Sequence, residues 1–242
     1  VSRRWVALFA LAWVGIWMAQ LAPFQLALPE QINDWLGVGD VLQQSNWERS
    51  VTTFGAISGM SAVCALVAFP LAGALSDRTT GRFGRRRPWI LAGTAVFAAA
   101  LVMLGPQHTY WGLALFWCLA LTGFSMAAAA LTALISDQVP VPQRGVVSSW
   151  VSAPQAIGTI AGIAVLTAVG AHYVAGYALL ALLLVVFVVP FALWVPDPPV
   201  QSFATRRLSV SALFAELWIS PREQPDFGWT LLGRVLVNIG NA

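Results

Sequence analysis

Residues 73–88 have the sequence GALSDRTTGRFGRRRP, and this stretch decides the fold. It holds one aspartate, Asp77, and five arginines, which makes it the most highly charged part of the chain. Apolar stretches flank it on both sides, at residues 51–75 and 89–105. Each flank approaches the ~20 helical residues that cross a bilayer core. We therefore predict a polar connection between two membrane-spanning helices.

The composition extends this prediction to the whole chain. Of 242 residues, 58% are hydrophobic and 10% are charged, and the mean hydropathy is +0.74. Soluble domains carry about 25% charged residues, so most of this surface does not face water. The net charge of +3 is too small to indicate a nucleic acid partner. The apolar stretches do not alternate with polar residues, as barrel strands would. We predict an all-α, polytopic membrane protein.

Six apolar stretches approach the spanning length, and none of them contains an acidic or basic residue. They are residues 5–28, 51–75, 89–105, 110–135, 146–170 and 174–195. A seventh stretch begins near Phe227 and reaches Ala242 before it attains the ~20 residues of a comfortable span. We therefore expect the chain to be a fragment that stops early in a seventh helix.

These boundaries predict three parts of the chain. Residues 1–195 form the six-span bundle, residues 196–226 a loop, and residues 227–242 the start of the seventh helix. Inside the loop, apolar residues recur at helical spacing. This pattern predicts an amphipathic helix that lies on the membrane surface or against the protein's own polar face. These residues are Val210, Leu213, Phe214, Leu217 and Trp218.

The distribution of arginine predicts the orientation in the membrane. Nearly all arginines precede the first span or lie in the connections after the second, fourth and sixth spans. The connections on the other side hold Arg49 beside several acids, including Glu30, Asp34 and Glu48. Connections rich in arginine and lysine stay in the cytoplasm. We expect a multi-pass protein of the plasma membrane with a cytoplasmic N-terminus.

Residues 73–88 resemble the signature loop of the major facilitator superfamily, which has a glycine, three residues, an acid, an arginine, a spacer and Gly-Arg-Arg. Two further segments are similar to family patterns: residues 137–145, DQVPVPQRG, and residues 225–234, which begin Pro-Asp-Phe. The long spacer and the sequence GRFGRRRP resemble the branch of sucrose and glycoside–cation symporters. The resemblance implies a six-helix N-terminal bundle built as a 3+3 inverted repeat, plus the start of helix 7. The C-terminal half of the same transporter is then the missing partner.

The resemblance also implies a conformational latch in the charged loop. Asp77 ends the second predicted helix, where a carboxylate is unfavourable because of the helix dipole and needs a positive partner. In the family, such contacts join the two halves on the cytoplasmic side. We predict that Asp77 and Arg78 belong to a latch that breaks during transport. The other candidate members are Gly73, Gly84, Arg85, Arg86, Asp137 and Arg144. For residues 85–87 the alternative is that the arginines only set the orientation of the chain in the membrane and that their charges are hydrated.

Polar residues inside the apolar spans are candidates for solute binding. Such groups are costly in lipid and face the bundle interior, where transporters bind their solutes. Aromatic faces beside amide groups suit the flat faces and hydroxyls of sugars. The candidates are Trp17, Gln20, Gln25, Ser125, Ser152, Gln155, Arg234 and Asn238. The alternatives are that serines and threonines bond their own helix, and that Arg234 reaches back to the cytoplasm.

These features favour a secondary transporter of a small polar solute, a sugar or a glycoside, that works by alternating access. The alternative is a drug or metabolite exporter of the same fold, since Pro154, Gly158 and Gly162 match the antiporter signature loosely. No enzyme motif such as His-Glu-x-x-His or Gly-x-Ser-x-Gly occurs, and no cofactor is expected. A coupling ion, H⁺ or Na⁺, is not identified, because no acid lies inside the six spans. The expected partners are the solute and membrane lipid.

Overall fold

We describe a computed structural model of the chain. It divides into two compact units, Val1–Ser202 and Phe203–Ala242. The residues that the structure describes are 1–37, 44–80, 83–170, 172–195, 197, 228–229 and 232–233. The second unit is thus described only at four positions, all of them helical. The amphipathic helix predicted in residues 196–226 and most of the predicted seventh helix lie outside the described residues, so both stay predictions.

Six helices make up the first unit, and each is long and apolar enough to cross a membrane. The first, α1, runs from Arg3 to Leu36. The others are α2 (Gln44–Arg78), α3 (Arg87–Leu104), α4 (Tyr110–Gln138), α5 (Val141–Val169) and α6 (Tyr173–Trp194). All regular elements in the described ranges are helical. The predicted all-α fold with six spans is confirmed.

Helix α1 is longer than its apolar stretch predicted. It continues through a π-helical turn, Pro23–Ala27, into a last segment, Leu28–Leu36. The turn is wide because the N–H of Leu28 bonds to the carbonyl of Pro23. The segment ends at Gly37, whose φ of 66° lets its N–H bond back to Asn33 and Asp34. The helix therefore extends beyond the apolar stretch of residues 5–28.

The packing of the six helices follows an internal symmetry. Helix α1 packs mainly on α5 and α6, and α4 packs mainly on α2 and α3. Helices α3 and α6 also contact each other. If α1, α2 and α3 are exchanged with α4, α5 and α6, this pattern is unchanged. Such an exchange is expected of the 3+3 inverted repeat.

Glycines bring the paired helices close together. A Cβ on Gly158 of α5 would lie 2.7 Å from the carbonyl oxygen of Val14 in α1. A Cβ on Gly162, one turn later, would lie 2.6 Å from the Cβ of Ala22. In lipid, where apolar burial does not drive helices together, close backbone packing of this kind stabilises a bundle. The two glycines are four positions apart and therefore lie on the same face of α5.

Candidate functional site

Arg86 is the centre of a charged cluster at one end of the bundle, which we call the arginine-rich end. Its side chain is 4% exposed. Nε donates to Oδ2 of Asp137 at 2.9 Å, Nη1 donates to Oγ of Ser76 at 2.5 Å, and Nη2 bonds to Oδ1 of Asp77. A buried guanidinium needs acceptors for its donors. Arg86 therefore ties the start of α3 to the ends of α2 and α4.

Asp137 binds a second arginine on its other oxygen. Nη2 of Arg85 lies 2.6 Å from Oδ1 of Asp137, whose side chain is 25% exposed. The carboxylate of Asp77 is 56% exposed, so it keeps a free face beside its bond to Arg86. The charge of Arg86 is buried and paired, so this residue is not a solvated charge as the alternative supposed. The positive partner that Asp77 needs at the end of its helix is Arg86.

The other predicted latch residues take different positions. Nε and Nη2 of Arg144 donate to the carbonyls of Val139 at 3.0 Å and of Ser136 at 2.9 Å, so Arg144 caps the end of α4. Arg78 is the last residue of α2. A Cβ on Gly73 would meet no atom within 4 Å in the described residues. The structure thus brings Asp77, Arg85, Arg86 and Asp137 together and sets Arg144 beside them.

Asp197, just after α6, contacts the charged loop but was not among the predicted site residues. Its Oδ2 accepts hydrogen bonds from the backbone N–H groups of Arg86 at 2.6 Å and Arg87 at 2.8 Å. Gly84, a predicted latch residue, has a φ of 91° and lies directly against Asp197. The only sequence signal at Asp197 was a proline-rich stretch, which indicates a loop and no partner.

Trp17 joins α1 to two other helices at the predicted solute face. Its Nε1 donates to the carbonyl of Val151 in α5 at 2.8 Å. Its ring centroid lies 5.7 Å from that of Trp13 and 5.8 Å from that of Phe124 in α4. Ser152 follows Val151 in the chain, and Ser125 follows Phe124. Trp17 therefore contacts the residues that directly precede the candidates Ser125 and Ser152 in the chain.

The polar candidates around Trp17 differ in exposure. Gln20 is half-buried, and its Oε1 is a buried acceptor with no partner among the described residues. Ser125 is 1% exposed. Ser152 and Gln155 are exposed on α5, and Gln25 is exposed within the π-helical turn of α1. Arg234 and Asn238 lie outside the described residues.

Several hydroxyls bond within their own helices, as the alternative predicted. The hydroxyl of Thr159 donates to the carbonyl of Gln155 at 2.8 Å. The hydroxyl of Thr122 likewise donates to the carbonyl of Cys118 at 2.8 Å. A donor used in this way is not needed by a solute. Substitution of Thr159 is therefore a suitable control for substitution of Gln155 on the same helix.

The end of the bundle opposite the arginine-rich end holds a cavity that the sequence did not predict. Its volume is about 640 Å³, and it lies between the last segment of α1, the end of α5 and the start of α6. Glu30, Asp34, Thr167, His172 and Tyr173 supply polar groups to its wall. The hydroxyl of Tyr173 donates to Oδ2 of Asp34 at 2.5 Å. Glu30 and Asp34 therefore line the same cavity.

One comparison with known proteins agrees with the fold. A model of the Major Facilitator Superfamily matches residues 7–241, which is nearly the whole chain. Members of this family are membrane transporters, and the six apolar helices make this chain a multi-pass membrane protein. The chain therefore belongs to the Major Facilitator Superfamily of secondary transporters.

Proposed function

We propose that this chain is the N-terminal half of a transporter that moves a sugar or a glycoside by alternating access. The observation that carries the proposal is the neutral aromatic and amide surface around Trp17. The half-buried ring of Trp17 stacks on Trp13 and bonds the Val151 carbonyl of α5. Gln20 follows Trp17 at helical spacing on α1, and Ser152 and Gln155 are exposed on α5 within four positions of Val151. Rings can stack on the apolar face of a sugar, while amides bond its hydroxyls. The sequence GRFGRRRP supports the sucrose and glycoside branch.

We also propose that the protein lies in the plasma membrane and that its arginine-rich end faces the cytoplasm. The skew of arginine between the two ends supports it. In this orientation, the cluster around Arg86 is a cytoplasmic latch. The exposed face of Asp77 is free to bind a positive helix N-terminus of the second half. Breaking that contact would open the central face to the cytoplasm.

The proposed partner is the C-terminal six-helix half of the same transporter. Helices α2 and α5 are the least buried of the six: in their apolar 18-residue segments, 11% and 22% of the residues are buried. On α2, Gly55 and Gly59 would meet no neighbour with an added Cβ. A small-residue face of this kind suits a sliding contact with another helix. Membrane lipid covers the rest of the apolar surface.

The positions of the acids limit where a coupling ion could bind in this chain. In the described spans, acids occur only near helix ends, as at Glu30, Asp34 and Asp137. Coupling to H⁺ or Na⁺ must therefore use an end carboxylate or a group of the second half. Glu30 and Asp34 are the candidates in this chain, because they line the cavity at the proposed outer end.

The test uses the complete gene product in proteoliposomes. Labelled sucrose and a labelled β-glucoside are offered for uptake, and efflux of a preloaded cationic dye is measured in parallel. We expect saturable sugar uptake and no dye efflux. Gln155→Leu should reduce the uptake, whereas Thr159→Val should not, since the Thr159 hydroxyl already bonds the carbonyl of Gln155.

Two results would contradict the proposal. Dye efflux without sugar uptake would favour the exporter alternative. Equal loss of sugar uptake in Gln155→Leu and Thr159→Val would mean that α5 is merely damaged by substitution. Empty liposomes and the unsubstituted protein give the two reference rates.

A further inference from the structure

We propose that Asp197 is a positioning residue of the latch. It holds the backbone of Arg86 in place, so that the guanidinium of Arg86 stays on Asp77 and Asp137. This inference rests on the latch function proposed above. It extends that function to a residue that lies outside the charged loop, at the end of α6.

The carboxylate of Asp197 caps the N-terminus of α3. One oxygen, Oδ2, accepts from the N–H groups of both Arg86 and Arg87. No side chain within α3 or at its N-cap, Arg86, fills this position. The first N–H groups of a helix lack partners in the helix and carry partial positive charge. An ionised carboxylate is therefore the strongest acceptor available to them.

Arg87 makes the reverse contact with α6. Its Nη2 donates to the carbonyl of Val195 at 2.9 Å and to that of Leu193 at 3.2 Å. These carbonyls lie at the C-terminal end of α6, where the helix dipole favours a cation. The start of α3 thus receives an anion from the end of α6, and the end of α6 receives a cation from the start of α3.

Gly84 shows how closely Asp197 fits the loop. An added Cβ at this position would overlap both the carboxylate and the backbone oxygen of Asp197. Its φ of 91° is also a conformation that side-chain-bearing residues rarely adopt. The glycine therefore allows the loop to pass over Asp197 on its way to Arg86.

The consequence concerns the direction of the Arg86 side chain. Its backbone N–H is held by Asp197, and its three guanidinium nitrogens bind Asp137, Ser76 and Asp77. Among the described contacts, Asp197 reaches these partners only through the backbone of the loop. A change at Asp197 should therefore weaken the latch while every latch side chain is still present.

The test measures the conformational balance of the complete gene product in membrane vesicles, without any solute. Cys64 and Cys118 are replaced by serine, and Ala156→Cys on the exposed face of α5 is the reporter. A membrane-impermeant maleimide is added to inside-out or right-side-out vesicles. The ratio of the two labelling rates reports how often the central face opens to each side.

We expect Asp197→Ala to raise the cytoplasmic labelling ratio about tenfold, since charge-assisted hydrogen bonds are lost. Asp197→Asn should change it less, because an amide oxygen can still accept from both N–H groups. Adding Asp77→Asn to Asp197→Ala should give no further shift, because both changes weaken one latch. Glu48→Ala, an exposed acid at the opposite end, should leave the ratio unchanged.

The proposal is overturned if Asp197→Ala lowers the unfolding temperature and leaves the labelling ratio unchanged. It is also overturned if the shifts of Asp197→Ala and Asp77→Asn add, since the two residues would then act independently. If Asp197→Ala does not fold, the same comparisons are made with Asp197→Asn. An unchanged ratio in Asp77→Asn alone would instead contradict the latch itself, so the two failures are distinguishable.

Discussion

The hydroxyl of Tyr177 in α6 donates a hydrogen bond to Oε1 of Gln31 in α1, at 3.1 Å. Nε2 of the same amide donates to the carbonyls of Leu104 at 3.1 Å, Gly105 at 3.2 Å and Gln107 at 2.9 Å. Gln31 is 1% exposed. One buried amide therefore holds the end of α3 and connects it to α1 and α6.

Gln31→Leu should destabilise the bundle by roughly 1–3 kcal/mol, because buried acceptors at the end of α3 lose their donor. The measurement is the thermal unfolding midpoint of the purified protein in detergent. Thr167→Val is the control, since its hydroxyl bonds the carbonyl of Ile163 in its own helix. An equal change in both variants would mean that Gln31 does not hold α3.

Gly158→Ala should destabilise the contact between α5 and α1. The new Cβ would lie 2.7 Å from the carbonyl oxygen of Val14, so the helices must move apart, which costs about 1–3 kcal/mol. Gly145→Ala is a matched control on the same helix, because a Cβ there meets nothing within 4 Å. If the two variants unfold at the same temperature, the glycine contact is not a determinant of packing.

The two latch carboxylates should differ when each is replaced by its amide. Asp137→Asn should lower the unfolding midpoint, since Asp137 binds both Arg85 and Arg86 and is the less exposed of the two. Asp77→Asn should change stability little and should alter the transport rate and the conformational balance. Solute flux and vesicle labelling measure the second effect. An Asp77→Asn protein with unaltered flux and balance would show that Asp77 is not part of a latch.

Trp17→Phe should weaken solute binding while the bundle stays folded. The change keeps an aromatic ring and removes the hydrogen bond that orients it against Val151, so the ring is positioned less well for a solute and the apparent KM should rise. A loss of about 1 kcal/mol in binding free energy corresponds to a rise of about fivefold. Trp5→Phe is the control, because Trp5 bonds Gln138 at the arginine-rich end. Equal KM values in the two variants would remove Trp17 from the solute face.

The sequence predicted the six spans well for a physical reason. In lipid, backbone polar groups must bond within the segment, so a long apolar stretch becomes a helix with few alternatives. The polar ends of α1 and α2 were less predictable. Residues 29–36 look like a loop, and they are helical because Gln31, Asn33 and Asp34 find partners on α3, α2 and α6. These partners are distant in the sequence, so the local sequence of residues 29–36 does not reveal them.

The candidate site was predictable to a similar extent. Asp77 and Arg86 belong to the recognisable spacing of residues 73–88, and Asp137 begins the second recognisable segment, residues 137–145, so the three could be named together. Asp197 could not, because its partners lie 110 and 111 positions earlier in the chain. Gln155 could be named because it is a polar residue inside an apolar span, whereas the internal bonding of Thr159 depends on a rotamer that the sequence does not determine.

The burial of Arg86 also sets an order for biosynthesis. The chain emerges from the ribosome with its N-terminus first, so Asp77 precedes Arg86 and is available at once. Asp137 is synthesised two helices later, and Asp197 follows the sixth helix. The arginine must therefore remain hydrated at the membrane surface while α3 and α4 are inserted. The arginine-rich end can close only after the ribosome has completed α6, which makes it the last part of the bundle to mature.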